Sequence, residues 1–464
     1  MKKIITLLTL FITIGTYAQD ITGPWHGLLT FPGGKLRITV NIAGESGNYT
    51  ATLDSPDQGA AGIPADAVTF KDKTLSFTLP SLGADYKGTY KDNRFTGTFT
   101  QKNYPIALNL GREEIKEDKP ARPQEPVKPY PYKSKEVIFT NSKDNTILAG
   151  TLTMPEKGGN FPAVILVSGS GPQNRDEELL GHKPFLVLAN HLTRNGIAVL
   201  RYDDRGTAAS KGTFEGATTN DFAGDAAAAF TFLQSQPDIN NKKVGIIGHS
   251  EGGTIAPIVA AENSDVAFIV LMAGTAIPGD EIMMLQNYLI GKANGMPEEE
   301  LTKLGTINRK VYTIIKEEKD EQELKSKLRK AFNSDLKPLF VSKGIPADQV
   351  TQYIDMQVAE LTSPWYSNFI RYNPATALEK VECPILAING ENDLQVAPVA
   401  NLDAVKRIAE KSGNKKVTTK QLPGLNHLFQ ESKTGAPSEY GTIEQTIAPA
   451  ALDEILSWIN KQVK

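Results

Sequence analysis

The stretch Gly248-His249-Ser250-Glu251-Gly252-Gly253 follows the apolar run 244–247 and precedes a helical one. A serine between glycines at such a junction sits on a sharp strand-to-helix turn, where a neighbouring Cβ would crowd the backbone. The helix that begins after Ser250 points its positive end toward the hydroxyl, which favours an oxyanion. That hydroxyl becomes a good nucleophile only when a base takes its proton. The chain has five histidines. His26 lies in a different region, and His249 adjoins Ser250 on the turn and cannot aim at the same hydroxyl. His182 and His191 lie on the segment after the apolar run 163–167. That leaves His427, in the loop after residues 416–422, as general base and later general acid. The base needs a carboxylate to fix its tautomer. Asp393, beyond the run 385–388, is the candidate, with Glu391 as its competitor.

A developing oxyanion needs two preorganised N–H donors. One is expected from Glu251, the residue after the nucleophile. The other is expected from the loop Ser168-Gly169-Ser170-Gly171-Pro172-Gln173-Asn174-Arg175-Asp176, with Ser170 first and Gly171 next. A plain glycine-rich turn is the bland alternative. A phosphate cradle is another, but the full G-x-x-x-x-G-K-[ST] pattern is absent. Asp203, Asp204 and Arg205 could be read as a catalytic acid and an anion clamp. Cys383 is the single cysteine and reads as a core residue, so an intramolecular disulfide and Cys-rich metal sites are excluded.

These residues must be positioned by a frame, and the chain has one. From about residue 134, the apolar runs 163–167, 198–200, 244–247, 266–272 and 385–388 alternate with helical patterns at 185–194, 222–233 and 254–261. Strands buried on both faces lose their polar alternation, so this rhythm predicts a doubly wound, mostly parallel sheet preceded by a strand pair at 137–139 and 147–153. In such sheets ligands sit beyond the C-terminal strand ends, where the four segments above lie. An insertion at about 275–380 is helical at 298–332 and 347–361 and reads as a cap over those ends. Trp365, Tyr366 and Phe369 are candidate pocket aromatics there, with cap core as the competing reading. The charge run 316–330 reads as a solvated helix face.

Residues 20–111 alternate with period two at 36–42, 49–53, 68–70, 75–79 and 95–99, which predicts a small all-β sandwich or barrel of six to eight strands. Asp92-Asn93 is a tight hairpin candidate. Trp25, His26 and Tyr86 read as packing or as ligand contacts. Residues 112–133 carry five prolines among Glu and Lys and read as an extended linker.

The serine turn, the GSGPQNRD loop, Arg201-Tyr202-Asp203-Asp204-Arg205-Gly206, Asp393 and His427 together resemble the α/β-hydrolase superfamily, whose chain order Ser, Asp, His they share. Within it, residues 135–464 are similar to exported bacterial serine esterases related to the dienelactone-hydrolase and prolyl-oligopeptidase-like groups. The resemblance implies a Ser–His–Asp triad, an acyl-enzyme intermediate, no cofactor or metal, and a structural, salt-bridged turn near the site at Asp203, Asp204 and Arg205. The loop reads SGSG instead of the HGGG of many lipases.

The ends and the composition bound the rest. Met1-Lys2-Lys3, the apolar stretch 4–15 and Thr16-Tyr17-Ala18 read as a signal peptide, 1–18, with an N-terminal anchor helix as the competing reading. An exported protein, periplasmic or secreted, without stable membrane insertion after cleavage, is expected. Lys plus Arg number 50 against Asp plus Glu 53, a net charge of −3 that provides no footprint for nucleic acid. The expected partner is a small-molecule ester, acylated glycans included. The alternatives are a serine peptidase of the prolyl-oligopeptidase-like type and a non-catalytic binding protein on a degenerate hydrolase fold. The sequence says nothing of oligomeric state.

Overall fold

The computed structural model describes residues 20–464 apart from 32–33, 46, 59, 102–103 and 117–119. The signal-like segment 1–18 lies outside the described residues. The chain divides into two compact units, one ending at Lys119 and the other beginning at Pro120.

The first unit is a meander of nine strands: β1 (Gly23–Phe31), β2 (Gly34–Glu45), β3 (Asn48–Ser55), β4 (Ala60–Lys71), β5 (Thr74–Leu79), β6 (Ala84–Lys91), β7 (Arg94–Gln101), β8 (Tyr104–Ala107) and β9 (Leu110–Gly111). Consecutive strands from β1 to β8 pair antiparallel. The short β9 joins β1 to β7, and β6 also pairs with β7, so the sheet closes on itself. Closure removes free edges and makes this a barrel, not a sandwich. The β6–β7 hairpin turns through Asp92 and Asn93, both with positive φ (50° and 56°), the conformation a two-residue turn requires. Trp25, Leu53, Leu75, Phe77, Tyr86 and Phe95 fill the interior. The Trp25 indole N–H donates to the Ile21 carbonyl and the Tyr86 hydroxyl to that of Leu108, so both aromatics are packing residues.

The second unit is built on an eight-stranded sheet. Its strands are β10 (Tyr132–Asn141), β11 (Thr146–Pro155), β12 (Phe161–Val167), β13 (Ala198–Tyr202), β14 (Ile239–His249), β15 (Ile269–Met272), β16 (Ile385–Gly390) and β17 (Val417–Leu422), in the order β10-β11-β13-β12-β14-β15-β16-β17. β10, β11 and β13 pair antiparallel and the remainder parallel. The helices around it are α1 (Pro184–Arg194), α2 (Thr219–Gln234), α3 (Glu251–Glu262), α10 (Pro398–Lys411) and α11 (Pro449–Gln462); most of the chain between α3 and α10 forms a cap. One face of the sheet is covered through Phe230, Ile255 and Val405 on α2, α3 and α10. The other is covered through Leu188 and Trp458 on α1 and α11. The central strands β12 and β15 are apolar because both faces are buried, whereas the edge strands β10 and β17 carry exposed polar residues. Strand order reverses at β12, between β13 and β14, and this switch point is where such sheets hold ligands.

The cap comprises α4 (Gly279–Ala293), α5 (Glu298–Glu317), α6 (Glu321–Ser342), α7 (Ala347–Leu361) and α8 (Pro364–Arg371), whereas the short α9 (Ala375–Leu378) packs on α3 and α10 with Leu378 in the core of the sheet. Apolar residues four apart (Ile307, Val311 and Ile315; Leu324, Leu328, Phe332 and Leu336; Val350, Ile354 and Val358) face one another in a core separate from that of the sheet. The single helical stretch expected at 298–332 is two helices. Asp320 ends the first arm and caps the second by accepting from the Glu323 N–H (2.9 Å).

Residues 112–133 are not a free spacer along their whole length. From residue 120 they belong to the second unit, because the Arg122 guanidinium donates to the carbonyls of Leu180, Gly181, Gly441 and Ile443. Gln124 also holds the Thr446 and Ile447 backbone. Pro-rich composition argues only against helix and sheet; it does not prevent side chains from docking. No described helix is long and apolar enough to cross a membrane.

Candidate active site

Ser250 stands between the last residue of β14 and the first of α3 with φ 52° and ψ −115°, a conformation that costs energy for any residue bearing a Cβ. The turn is held by close packing. A Cβ on Gly248 would lie 1.9 Å from the Gly252 carbonyl oxygen, and one on Gly252 would lie 2.1 Å from that of Val167. The Ser250 N–H donates to the Met272 carbonyl (2.9 Å), and its own carbonyl accepts from Gly253 (2.9 Å). The strained φ is therefore fixed from both sides, and the hydroxyl is presented at the switch point.

His427 and Asp393 arrive from the ends of β17 and β16. His427 Nδ1 lies 2.8 Å from Asp393 Oδ2, with both residues buried. A carboxylate accepts, so Nδ1 carries the proton and Nε2 keeps its lone pair. Asp393 is itself anchored: Oδ1 accepts from the Gln395 and Val396 N–H groups (2.8 and 2.9 Å), and Oδ2 also faces the Asn389 amide. Glu391, the competing acid, is exposed and accepts from the Gly424 N–H, so it is not on the histidine. The His427 loop is shaped by Asn426, which is fully buried. Its Oδ1 accepts from the Leu428 and Gln430 N–H groups, while its amide donates to Gln430.

The loop after β12 is braced from β13. The Asp204 carboxylate accepts from the Ser168 hydroxyl (2.9 Å) and the Gln173 N–H (3.0 Å), and Asp203 receives Arg175 through two side-chain nitrogens and its backbone. Burial pushes the Asp204 carboxyl up to about 8, against the opposing pull of those donors. Arg205 turns the other way, to Asp225 and Asp144. The salt-bridged turn anticipated here is thus three separate braces. Among the described residues, the N–H groups of Ser170 and Glu251 donate to no protein acceptor. Gly171, at positive φ (96°), lines a small void of about 10 Å³ that adjoins Gly169 and Glu251, and does not line the larger cavity at Ser250.

Ser250, His427, Ser170 and Glu251 line one cavity of about 320 Å³. Its apolar wall includes Ile282, Met283, Val396 and Leu428, and Trp365, Tyr366 and Phe369 reach it from the cap. Trp365 stacks on Phe369 (5.4 Å between ring centroids), and its indole N–H donates to the Glu251 carboxylate (2.9 Å). Burial raises the Glu251 carboxyl above its ordinary range, opposed by donors from Thr219, Trp365 and Ser170. His182 also lines the cavity, but both ring nitrogens are occupied, by Thr446 and by the Tyr440 carbonyl. No lining residue is Lys or Arg, and no cluster of potential metal ligands occurs among the described residues.

Asn426, Glu177 and the Trp365–Glu251 contact escaped sequence reasoning. No spacing rule links them, although a buried-looking Asn directly before the base is a signal that a loop is being shaped by its side chain.

A parallel sheet with a serine turn after β14, an acid after β16 and a histidine after β17 defines an α/β hydrolase. Residues 144–422 match the X-Pro dipeptidyl-peptidase (S15) family, and the chain belongs to it. It is 28% identical over 328 residues to esterase EstD of Thermotoga maritima, an alignment covering 69% of this chain and 67% of that protein. Solved structures similar to it include an esterase of Pyrococcus furiosus (TM-score 0.44, 14% identity, 75% of this chain and 100% of that one). Another is Est1E from Butyrivibrio proteoclasticus (TM-score 0.41, 14% identity, 71% and 98%). The protein is a hydrolase of ester or peptide bonds.

Proposed function

We propose that the protein is a serine carboxylesterase acting on short-chain acyl esters. The observation that carries the reading is His427, anchored by Asp393, lining one cavity with a strained Ser250 and the Ser170 and Glu251 amides. In the forward half-reaction the Ser250 oxygen attacks the ester carbonyl carbon while His427 Nε2 takes its proton. The Ser170 and Glu251 amides receive the oxyanion. The tetrahedral adduct collapses by breaking the carbon–oxygen bond to the alcohol, which leaves with the proton from His427. Water then attacks the acyl-enzyme, giving one proton to His427, which returns it to the Ser250 oxygen as the acid departs.

The cavity supports a substrate class. A volume of about 320 Å³ suits a small acyl group, and a wall without Lys or Arg gives an anionic ester no lysine or arginine partner. Short acyl groups on glycans fit that description. A signal-like N-terminus supports an exported enzyme, periplasmic or secreted. The family match supports a second reading, a serine peptidase.

Turnover of a short-chain nitrophenyl ester, without turnover of an aminoacyl nitroanilide, is expected; the reverse pattern would replace the esterase reading with the peptidase one. A fluorophosphonate should label the wild type and not Ser250→Ala. An unlabelled wild type would remove both readings in favour of a binding protein.

A further inference from the structure

Glu177 belongs to no motif, yet it is buried at 5% exposure and held at φ 51°. Its Oε1 accepts from the Gly169 N–H (2.8 Å), in the loop that carries Ser170, and lies 2.9 Å from His249 Nδ1. The other ring nitrogen of His249 lies 3.1 Å from the backbone carbonyl oxygen of His427. The two imidazoles are 4.9 Å apart between centroids, tilted at 45°. Two residues thus touch three chain segments, each of which supplies a different part of the proposed chemistry.

We infer that Glu177 and His249 are a positioning pair that locks the Ser170 loop, the serine turn and the His427 loop into one rigid unit. The chemistry of the contacts supports this. Both ring nitrogens of His249 face acceptors, an arrangement satisfied only when both carry protons, as an imidazolium against a carboxylate. Burial by itself would strip that proton. The Glu177 carboxylate and its hydrogen bond, the His427 carbonyl and the more distant Asp393 reverse the effect and hold the ring above the ordinary histidine range. The other titratable groups around the ring are His427 beyond β17, Glu251 at the start of α3 and His182 ahead of α1; among the charged groups only Glu177 touches it.

A consequence follows for pH. When the ring loses its second proton it can keep one of its two hydrogen bonds, and the unit comes apart. Activity should therefore fall on the alkaline side, through a group that is not in the triad. The kinetic part of this inference rests on the esterase reading; the structural part does not.

The test is Glu177→Gln, which keeps an oxygen for Gly169 and removes the charge. It is expected to lower kcat on the order of tenfold to a hundredfold, the scale of small misplacements at a reacting centre, with little change in KM. It should also move the alkaline limb to lower pH. Hydrogen exchange measured on the full chain should rise at residues 424–430 as well as at 168–177. A wild-type kcat, an unmoved limb and exchange raised only in the variant's own loop would overturn the pair. His249→Asn cuts the same tie from the other end. It must reproduce the exchange pattern, which keeps the inference decidable should Glu177→Gln fail to fold. Should the wild type hydrolyse no ester, the esterase reading fails, and the exchange at 424–430 still decides the pair.

Discussion

Replacing Asp393 by Asn tests the site at its most constrained point. Oδ1 of Asp393 faces two donors, the N–H groups of Gln395 and Val396, at 2.8 and 2.9 Å. In Asp393→Asn the amide must keep its oxygen there, because turning the NH₂ toward two N–H groups would bury a donor–donor clash. The NH₂ is thereby aimed at His427 Nδ1, now 2.8 Å from the Asp393 carboxylate. Nδ1 has to accept, the proton moves to Nε2, and the lone pair that would take the Ser250 proton disappears. A serine triad locked in the wrong tautomer loses on the order of 10⁴ in kcat, about 5 kcal/mol of barrier. The substitution is nearly isosteric, and its structural cost is confined to the 3.4 Å contact with Asn389, which becomes donor against donor; about 1 kcal/mol of stability is at stake there. The assay is steady-state hydrolysis of a short-chain nitrophenyl ester beside a thermal melt. A variant that melts near the wild type and keeps kcat within tenfold (roughly 1.4 kcal/mol) would refute the reasoning, since His427 would then not depend on Asp393 for its tautomer.

Three further outcomes are expected. The Asp204 carboxyl is raised by burial to about 8 from 3.8, so the folded state holds a proton the unfolded chain has released. That contribution is complete below the lower value and is lost as pH rises through the upper one. Stability should decline between those limits, and Asp204→Asn should flatten the decline when melts at pH 5 and pH 8 are compared. Arg122→Ala should destabilise the second unit by about 2–3 kcal/mol through four carbonyls losing a cationic donor. A chain begun at residue 134 should likewise melt below one begun at residue 120.

How much of this was legible beforehand depended on whether the determining contacts were local. The serine turn was legible because the glycines that let β14 and α3 meet are adjacent in sequence to Ser250. The parallel strands were legible because burial on both faces leaves unbroken apolar runs. In the barrel, β6 was hard to see. Its inward positions are Ala84, Tyr86 and Gly88, and two of those carry almost no apolar signal. Gly88 is required because a Cβ there would lie 2.2 Å from the Tyr86 hydroxyl, a fact of packing and not of period. Choosing Asp393 over Glu391 needed the fold: the two are two residues apart, and only the path of the chain after β16 decides which turns inward. Arg122 could not have been read as an anchor, because its four acceptors are carbonyls as far as 321 positions away.

The last turn of β13 has one more implication. Asp203, Asp204 and Arg205 are consecutive, yet each is committed to a different neighbour: Arg175, the Ser168 hydroxyl with the Gln173 N–H, and Asp225. A slip that moved Asp204 into the place of Arg205 would set two carboxyl groups against each other at Asp225 and leave Arg175 facing Tyr202. The three contacts therefore favour a single alignment of the chain where β13 ends, beside the loop that carries Ser170.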